Sequence, residues 1–247
     1  MSSDARIALI SDLHGNVHAL ERVLADARTM GVDAVACLGD VCTLGPYPRE
    51  VLDIIRERCR WFILGNHDEY MSRPELLRDH SDAPDVVSAV EWCRSELDTG
   101  SLDFLTSFVS RTRVDLGAEM QLLLFHGSPD SNTQDLLAET APAELDTHLR
   151  GHEATVLAGG HTHLQMLRQH RGRLMVNPGS VGLPFESYAS GGPPRVMAHA
   201  EYAIVEAHQG KLGVTLQRIE LDRSRLVAQA RNWKEPLGRY LLAQYQR

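Results

Sequence analysis

Three times before Tyr70 a short apolar run stops abruptly at a carboxylate or an imidazole, and this recurrence limits the fold more than any bulk property. Ile7-Ala8-Leu9-Ile10 runs into Ser11-Asp12-Leu13-His14-Gly15-Asn16. Asp33 to Leu38 runs into Gly39-Asp40, and Arg60 to Leu64 into Gly65-Asn66-His67-Asp68. Continuous apolar runs of this length suit strands buried on both faces. Between them the spacing predicts two helices. One covers Val17 to Met30, with Val17, Leu20, Val23, Leu24 and Ala27 on one face and Gly31 at the C′ position. The other covers Pro48 to Cys59, with Val51, Leu52 and Ile55 inward and Pro48 in the first turn. Strand, helix, strand, helix, strand implies a parallel sheet with right-handed crossovers. Ligands of such sheets bind beyond the carboxyl ends of the strands.

Asp12 and His14 are two residues apart, so one further extended step would turn both side chains the same way. Gly15 then permits a sharp turn, and Asn16 is a good N-cap for the helix behind it. Alone, Asp-x-His reads as an ordinary turn. Downstream, however, four more segments end in the same residue types. Thr112 to Leu116 and Met120 to Phe125 read as strands around Gly117-Ala118-Glu119, the second ending at His126-Gly127-Ser128-Pro129. A helix from Pro142 to Leu149 precedes the strand Thr155 to Ala158, which ends at Gly159-Gly160-His161-Thr162-His163.

The remaining chain supplies scaffold. Pro74 to Ser110 is helical and loosely patterned, and packing explains it better than a cap over a site. After His163 come hairpins, Leu164–Gln169 with Leu174–Val176 and Met197–Ala207 with Leu212–Ile219, then helices from Asp222 and Glu235. Gly191-Gly192-Pro193-Pro194 is loop-like but lies between strands, so residues 1–247 are expected to form one domain with a helical insertion at 74–110. At 247 residues such a chain can bury roughly 70–75% of its unfolded surface.

With 33 acidic against 25 basic residues, the net charge of −8 argues against a sequence-independent grip on long duplex nucleic acid. A nucleotide substrate stays open, because bound cations would supply local positive charge. No apolar run approaches the ~18 residues of a membrane span, and the polar start Met1 to Arg6 has no secretory pattern. Cys37, Cys42, Cys59 and Cys93 form no C-x-x-C pair and read as small hydrophobes in a reduced, cytoplasmic setting. Whether the chain forms a homo-oligomer is open.

The strand ends together offer Asp12, His14, Asp40, Asn66, His67, Asp68, His126, His161 and His163. Carboxylate, imidazole and amide oxygen without thiolate suit divalent Mn, Fe, Co, Ni or Zn. Seven of these as ligands exceed what one ion with open positions needs. They match two ions about 3.5–4 Å apart that share a carboxylate.

Asp12-x-His14, Gly39-Asp40, Gly65-Asn66-His67-Asp68, His126 and Gly160-His161-x-His163, in that order, resemble the five signature motifs of the calcineurin-like metallophosphoesterases. Asn177-Pro178-Gly179-Ser180-Val181-Gly182 is similar to a run in the small bacterial and archaeal phosphodiesterase-type branch. The resemblance implies a four-layer α/β/β/α sandwich of two mixed sheets flanked by helices, with metals at one rim. It implies that Asp12, His14 and His163 hold one ion and Asn66, His126 and His161 the other, with Asp40 bridging. A hydroxide between the ions would attack phosphorus in line with the leaving oxygen. His67 would act as leaving-group acid or as a charge on the phosphoryl oxygens, Asp68 would orient His67, and Asn16 would approach the phosphate.

The expected activity is phosphodiester hydrolysis on a small phosphoester or nucleotide. Its alternatives are a phosphomonoesterase or nucleotidase on the same site, or a non-catalytic metal-binding scaffold of the same fold. Val41-Cys42-Thr43-Leu44 stands where the family's protein Ser/Thr phosphatases carry an Arg-Gly phosphate clamp, which lowers that reading. Retention of His67 lowers the scaffold reading, since the retromer subunit that resembles the family lacks this histidine. Ser11, Ser128 and Ser180 lack a G-x-S-x-G elbow. His18, His80, His152 and His199 read as surface or packing residues.

Overall fold

In the computed structural model, which describes residues 5–81, 83–189 and 192–247, the first strand, β1 (Ala5–Ile10), has its last four residues buried. Ala8 and Ile10 enter one core while Ile7 and Leu9 enter another, as the two-residue period of a strand requires. Met1 to Asp4, the His80 side chain and Gly191, all read in the sequence above, lie outside the described residues.

The elements follow β1 in the order α1 (Val17–Thr29), β2 (Ala34–Cys37), α2 (Pro48–Arg58), β3 (Trp61–Phe62), α3 (Asn66–Ser72), α4 (Leu77–His80), α5 (Pro84–Ser95) and α6 (Thr99–Thr106). Then come β4 (Thr112–Gly117), β5 (Met120–Leu124), α7 (Pro142–His148), β6 (Val156–Ala158), β7 (Gln165–His170), β8 (Arg173–Pro178), β9 (His199–His208), β10 (Lys211–Glu220), α8 (Arg223–Asn232) and α9 (Pro236–Tyr245). They form two five-stranded sheets, ordered β10-β9-β1-β2-β3 and β4-β5-β6-β8-β7. Both are mixed. In the first sheet β1, β2, β3 and β10 run one way and β9 the other, and in the second β5, β6 and β8 run parallel between antiparallel β4 and β7.

The layering follows from side-chain alternation. Leu122 and Leu124 of β5 meet Ile7 and Leu9 between the sheets, whereas Leu123 and Phe125 face outward onto Leu145 of α7. On the far side, Ala8, Ile10 and Cys37 pack against Leu20 and Val23 of α1 and Val51 and Ile55 of α2. The expected α/β/β/α order is present. Leu77, Val90, Cys93, Leu105 and Phe108 from the 74–110 helices join this same core, so that segment packs as scaffold. The four cysteines are free thiols, and Cys37, Cys42 and Cys93 are buried. Among the described residues no helix is long and apolar enough to cross a membrane.

One expected strand is cut short. Only Trp61 and Phe62 pair with β2, then Ile63 bridges to Val109 and the chain turns at once into α3. The polar run Asn66 to Glu69 carries no apolar periodicity, so the sequence pattern does not point to this helix.

The parallel strands bring their carboxyl ends to one rim, and the loops continue the pairing. Asp12 N–H donates to Gly39 C=O at 3.0 Å, His14 N–H to Asp40 C=O at 3.0 Å and Gly15 N–H to Val41 C=O at 2.9 Å. Gly160 N–H donates to His126 C=O at 2.7 Å, and Val181 and Gly182 donate to Ser11 and Asp12 at 3.0 Å, which joins the two sheets at that rim.

Candidate metal centre

Beyond Ile10 the chain does not stay extended. Asp12 and His14 adopt φ of 54° and 45°, and Asp40, His161 and His163 adopt 56°, 70° and 58°. All five lie in the left-handed region that non-glycine residues seldom enter, although Asp and His tolerate it best. The sequence expectation that one more extended step aligns Asp12 with His14 is therefore corrected. The loops pair side by side instead, and their polar side chains gather at the rim. At about 1 kcal/mol apiece the five together cost on the order of 5 kcal/mol. That is comparable to the lower end of a domain's net stability, about 5–15 kcal/mol. Strain concentrated on five polar residues at one rim marks a functional site.

Three imidazoles are aimed by backbone carbonyls. His126 gives its Nδ1–H to Leu38 C=O at 2.6 Å, His163 to Leu183 C=O at 2.6 Å and His14 to Thr43 C=O at 3.2 Å. A proton fixed on Nδ1 leaves the lone pair on Nε2 in the neutral ring. These lone pairs converge on other acceptors. His14 Nε2 lies 3.1 Å from His163 Nε2, which lies 3.3 Å from Asp12 Oδ1, a buried oxygen with no hydrogen-bond donor. His126 Nε2 lies 3.1 Å from Asn66 Oδ1 and 3.4 Å from Asp40 Oδ1. Asn66 donates its Nδ2–H to Tyr70 Oη at 3.1 Å, which turns its oxygen toward His126. Each of these close pairs needs positive charge between its partners, supplied by a bound cation or, without one, by a proton on Nε2 of His126 or His163.

The acceptors fall into two groups. Asp12, His14 and His163 form one triad and Asp40, His126 and His161 the other, with the ligand atoms of each within 4.8 Å of one another. Asp40 reaches toward both, its Oδ2 3.9 Å from His14 Nε2 and its Oδ1 3.4 Å from His126 Nε2. All seven residues proposed from the sequence as ligands are thus brought together, and the donor set fits two divalent cations. Burial holds His14 down to about 3 and His161 down to about 4, so both rings are neutral with one nitrogen free, as ligation requires. Burial works against charge on His126 too, but the Asp40 carboxylate lifts it to about 9. For Asp12, burial raises the carboxyl and the facing His163 outweighs it, bringing it to about 2.

Asp68 takes a different place from the expected one. Its carboxylate accepts N–H bonds from Asp40 and Val41 at 2.8 Å and from Gly65 at 3.1 Å. Among the described residues no hydrogen bond joins it to the His67 ring. It ties the Asp40 loop to the start of α3 rather than orienting His67. Burial and the nearby Asp40 push its carboxyl up to about 7, against the pull of the Val41 and Gly65 N–H groups. Asn16 is also committed: its Oδ1 caps α1 by accepting from Ala19 N–H at 3.1 Å, and its Nδ2 donates to Gly182 C=O at 3.1 Å. Its Oδ1 also accepts from Gln229 Nε2–H at 3.2 Å, so one Nδ2–H is what it has left to offer a phosphate. His67 is partly buried, its Nδ1 has no hydrogen-bond partner, and burial lowers its pKa. Its backbone N–H donates to Asp40 Oδ1 at 2.9 Å, which sets it beside the shared carboxylate.

Close backbone approach builds the pocket. A Cβ on Gly160 would collide with Ser11 Oγ and one on Gly65 with Asp40 Oδ1. Glycine at the first position lets His161 N–H reach Asp12 Oδ2 at 3.1 Å. Asn177 donates to Gly160 C=O at 2.7 Å and Thr162 Oγ1 at 3.0 Å, and Ser180 Oγ donates to Asp12 C=O at 2.7 Å. The Asn177–Gly182 run is the buttress of the histidine turn, a role that nothing in its sequence signals. Among the described residues, Ser11, Ser128 and Ser180 hydrogen-bond to no histidine base. His152 pairs with Asp130 and His199 with Glu201, apart from the centre, and His18 is buried near the start of α1.

The sequence matches the calcineurin-like phosphoesterase superfamily domain over residues 5–210. An uncharacterized protein of Methanocaldococcus jannaschii is 25% identical over 231 residues, covering 87% of this chain and 88% of its own length. Among solved structures, a metallophosphoesterase from Sphaerobacter thermophilus superposes with a TM-score of 0.76 at 27% identity, covering 99% of both chains. A hypothetical protein from Pyrococcus horikoshii superposes with a TM-score of 0.78 at 16% identity, covering 97% of this chain and 96% of its own, a likeness of fold. On a match that runs through every strand-end loop of the centre, the chain belongs to the calcineurin-like phosphoesterase superfamily.

Proposed function

We propose that the protein hydrolyses phosphoesters, phosphodiesters foremost, with two divalent cations held by Asp12, His14 and His163 and by Asn66, His126 and His161, and with Asp40 shared between them. The observation that carries this reading is the Asp40 carboxylate, whose two oxygens face separate groups of imidazole lone pairs. When bound, the ions supply Lewis acidity and a water of lowered pKa at neutral pH. The nitrogen and oxygen donors, without thiolate, suit Mn, Fe, Co, Ni or Zn.

The chain's own residues do the rest. Leu38, Thr43 and Leu183 carbonyls fix which imidazole nitrogen is free, so the ligands need no reorganisation. His67, with an unengaged Nδ1 beside the shared carboxylate, passes a proton to the leaving oxygen or holds a phosphoryl oxygen. Among the described residues, none of those gathered at the centre is a lysine or arginine. That favours a singly charged diester over a dianionic monoester, and a small phosphoester or nucleotide is the substrate class.

The test is a rate comparison on Mn-loaded full-length protein. Bis(p-nitrophenyl) phosphate is expected to be turned over faster than p-nitrophenyl phosphate, and a chelator should abolish both activities. A faster monoester rate would move the assignment to a phosphomonoesterase, and no turnover of either ester would contradict the proposal.

A further inference from the structure

Three of the four imidazoles at the centre are oriented by backbone carbonyls, and His161 is the exception. Its Nε2 lies 3.5 Å from Asp135 Oδ1, an approach of a neutral ring to a carboxylate that is longer than a full hydrogen bond. The other oxygen, Asp135 Oδ2, accepts the Tyr188 O–H at 2.6 Å. Neither residue belongs to any motif read in the sequence. Tyr188 follows closely on Leu183, whose carbonyl takes the His163 Nδ1–H, and Phe185, whose ring stacks on the His163 ring at 4.1 Å and 21°. One short stretch, residues 183–188, thus reaches both imidazoles of the Gly160–His163 turn, one in each triad.

We propose that Asp135, held by Tyr188, is the positioning residue for His161: its carboxylate keeps the imidazole proton on Nε2 and so presents Nδ1 to the ion of the Asp40, His126 and His161 group. This rests on the two-cation reading above. A carboxylate beside one ring nitrogen favours the proton there, which fixes the tautomer and raises the basicity of the other nitrogen. His161 is thereby turned opposite to the other three rings, which present Nε2. The arrangement sits at the rim, with the Asp135 side chain 33% exposed and that of His161 18% exposed. Altering it does not open the core. The stretch that carries Asp135 is also tied to α3, through the Asn132 Nδ2–H bond to Glu69 Oε2 at 2.9 Å. It therefore keeps an anchor when Asp135 is replaced.

The experiment is calorimetric titration of the metal-free full chain with Mn²⁺, for wild type, Asp135→Ala, Asp135→Asn and Tyr188→Phe. Thermal unfolding of each metal-free protein runs alongside. Wild type is expected to bind in two steps. Asp135→Ala should weaken one step about 10–100-fold and leave the other nearly unchanged. Asp135→Asn, which keeps an acceptor oxygen, should recover part of that loss, and Tyr188→Phe should weaken the same step by about tenfold or less. Melting temperatures of the metal-free proteins should agree. Unchanged affinities in all three variants, or equal weakening of both steps with a lowered melting temperature, would overturn the positioning role while leaving the two-cation reading intact. A wild type that binds no ions overturns both.

Discussion

Replacing His67 by alanine is expected to lower kcat on a phosphodiester by about 10²–10⁴-fold, the range for loss of a positioned proton-transfer group. The metal content should not change. Two features of the site separate these outcomes. The bond that links residue 67 to the shared carboxylate comes from its backbone N–H to Asp40 Oδ1, and alanine keeps it. The ring itself packs edge-on against His14 at 5.3 Å and Tyr70 at 5.1 Å, with Nδ1 unengaged, so no ligand depends on a hydrogen bond from that atom. His67→Gln, which retains polar atoms but not an imidazole, should be similarly slow if proton transfer is the role. It should be partly active if the role is a hydrogen bond to a phosphoryl oxygen. Rates equal to wild type would remove His67 from the chemistry, and a joint loss of ions and rate would make it a support of the centre.

Asp68→Ala is expected to destabilise the metal-free protein by on the order of 3–5 kcal/mol, because it strips the acceptor from three backbone N–H groups at once. Each buried donor left unpaired costs about 1–3 kcal/mol, and partial relaxation keeps the sum below three times the upper figure. Two of those donors, Asp40 and Val41, fix the left-handed turn that aims the shared carboxylate, so activity should fall with stability. Asp68→Asn retains one acceptor oxygen and should lose less. Urea unfolding with a chelator present, read as a midpoint shift at constant slope, measures this. A loss under about 1 kcal/mol would show that the carboxylate does not hold the two loops together.

These two residues illustrate what the sequence reveals and what it leaves hidden. β1 and β2 were legible because a strand buried on both faces must be apolar throughout, and the polar residue that ends it is then conspicuous. The ligands were legible for the same reason: Asp12, Asp40, His126 and His161 each follow a run of buried residues. Their backbone conformation was not. Local rules favour an extended step at Asp12, and only pairing with the Asp40 loop imposes the left-handed turn. α3 was missed because Asn66 to Glu69 has no apolar stripe, its start being set by Gly65 and by Asp68 turning back onto Gly65 N–H. Asp68 looked like a partner for its neighbour His67, yet its acceptor role reaches Asp40 and Val41 across the fold, a contact that no local spacing reports. Asn16 read correctly as a helix cap, a commitment that takes its Oδ1 and one of its two Nδ2–H donors. Asp135 lies in the irregular chain between β5 and α7, where nothing periodic draws attention to it.

The two-cation reading rests on close pairs of ligand atoms, His14 Nε2 against His163 Nε2 and His126 Nε2 against the Asn66 and Asp40 oxygens, at distances that call for a cation or a shared proton between them. Its most direct test is elemental analysis of the full chain after Mn²⁺ loading and removal of free ions, repeated for Asp40→Ala. Two ions per wild-type chain, falling below one in the variant, is the predicted result; a wild-type chain that retains none contradicts the account.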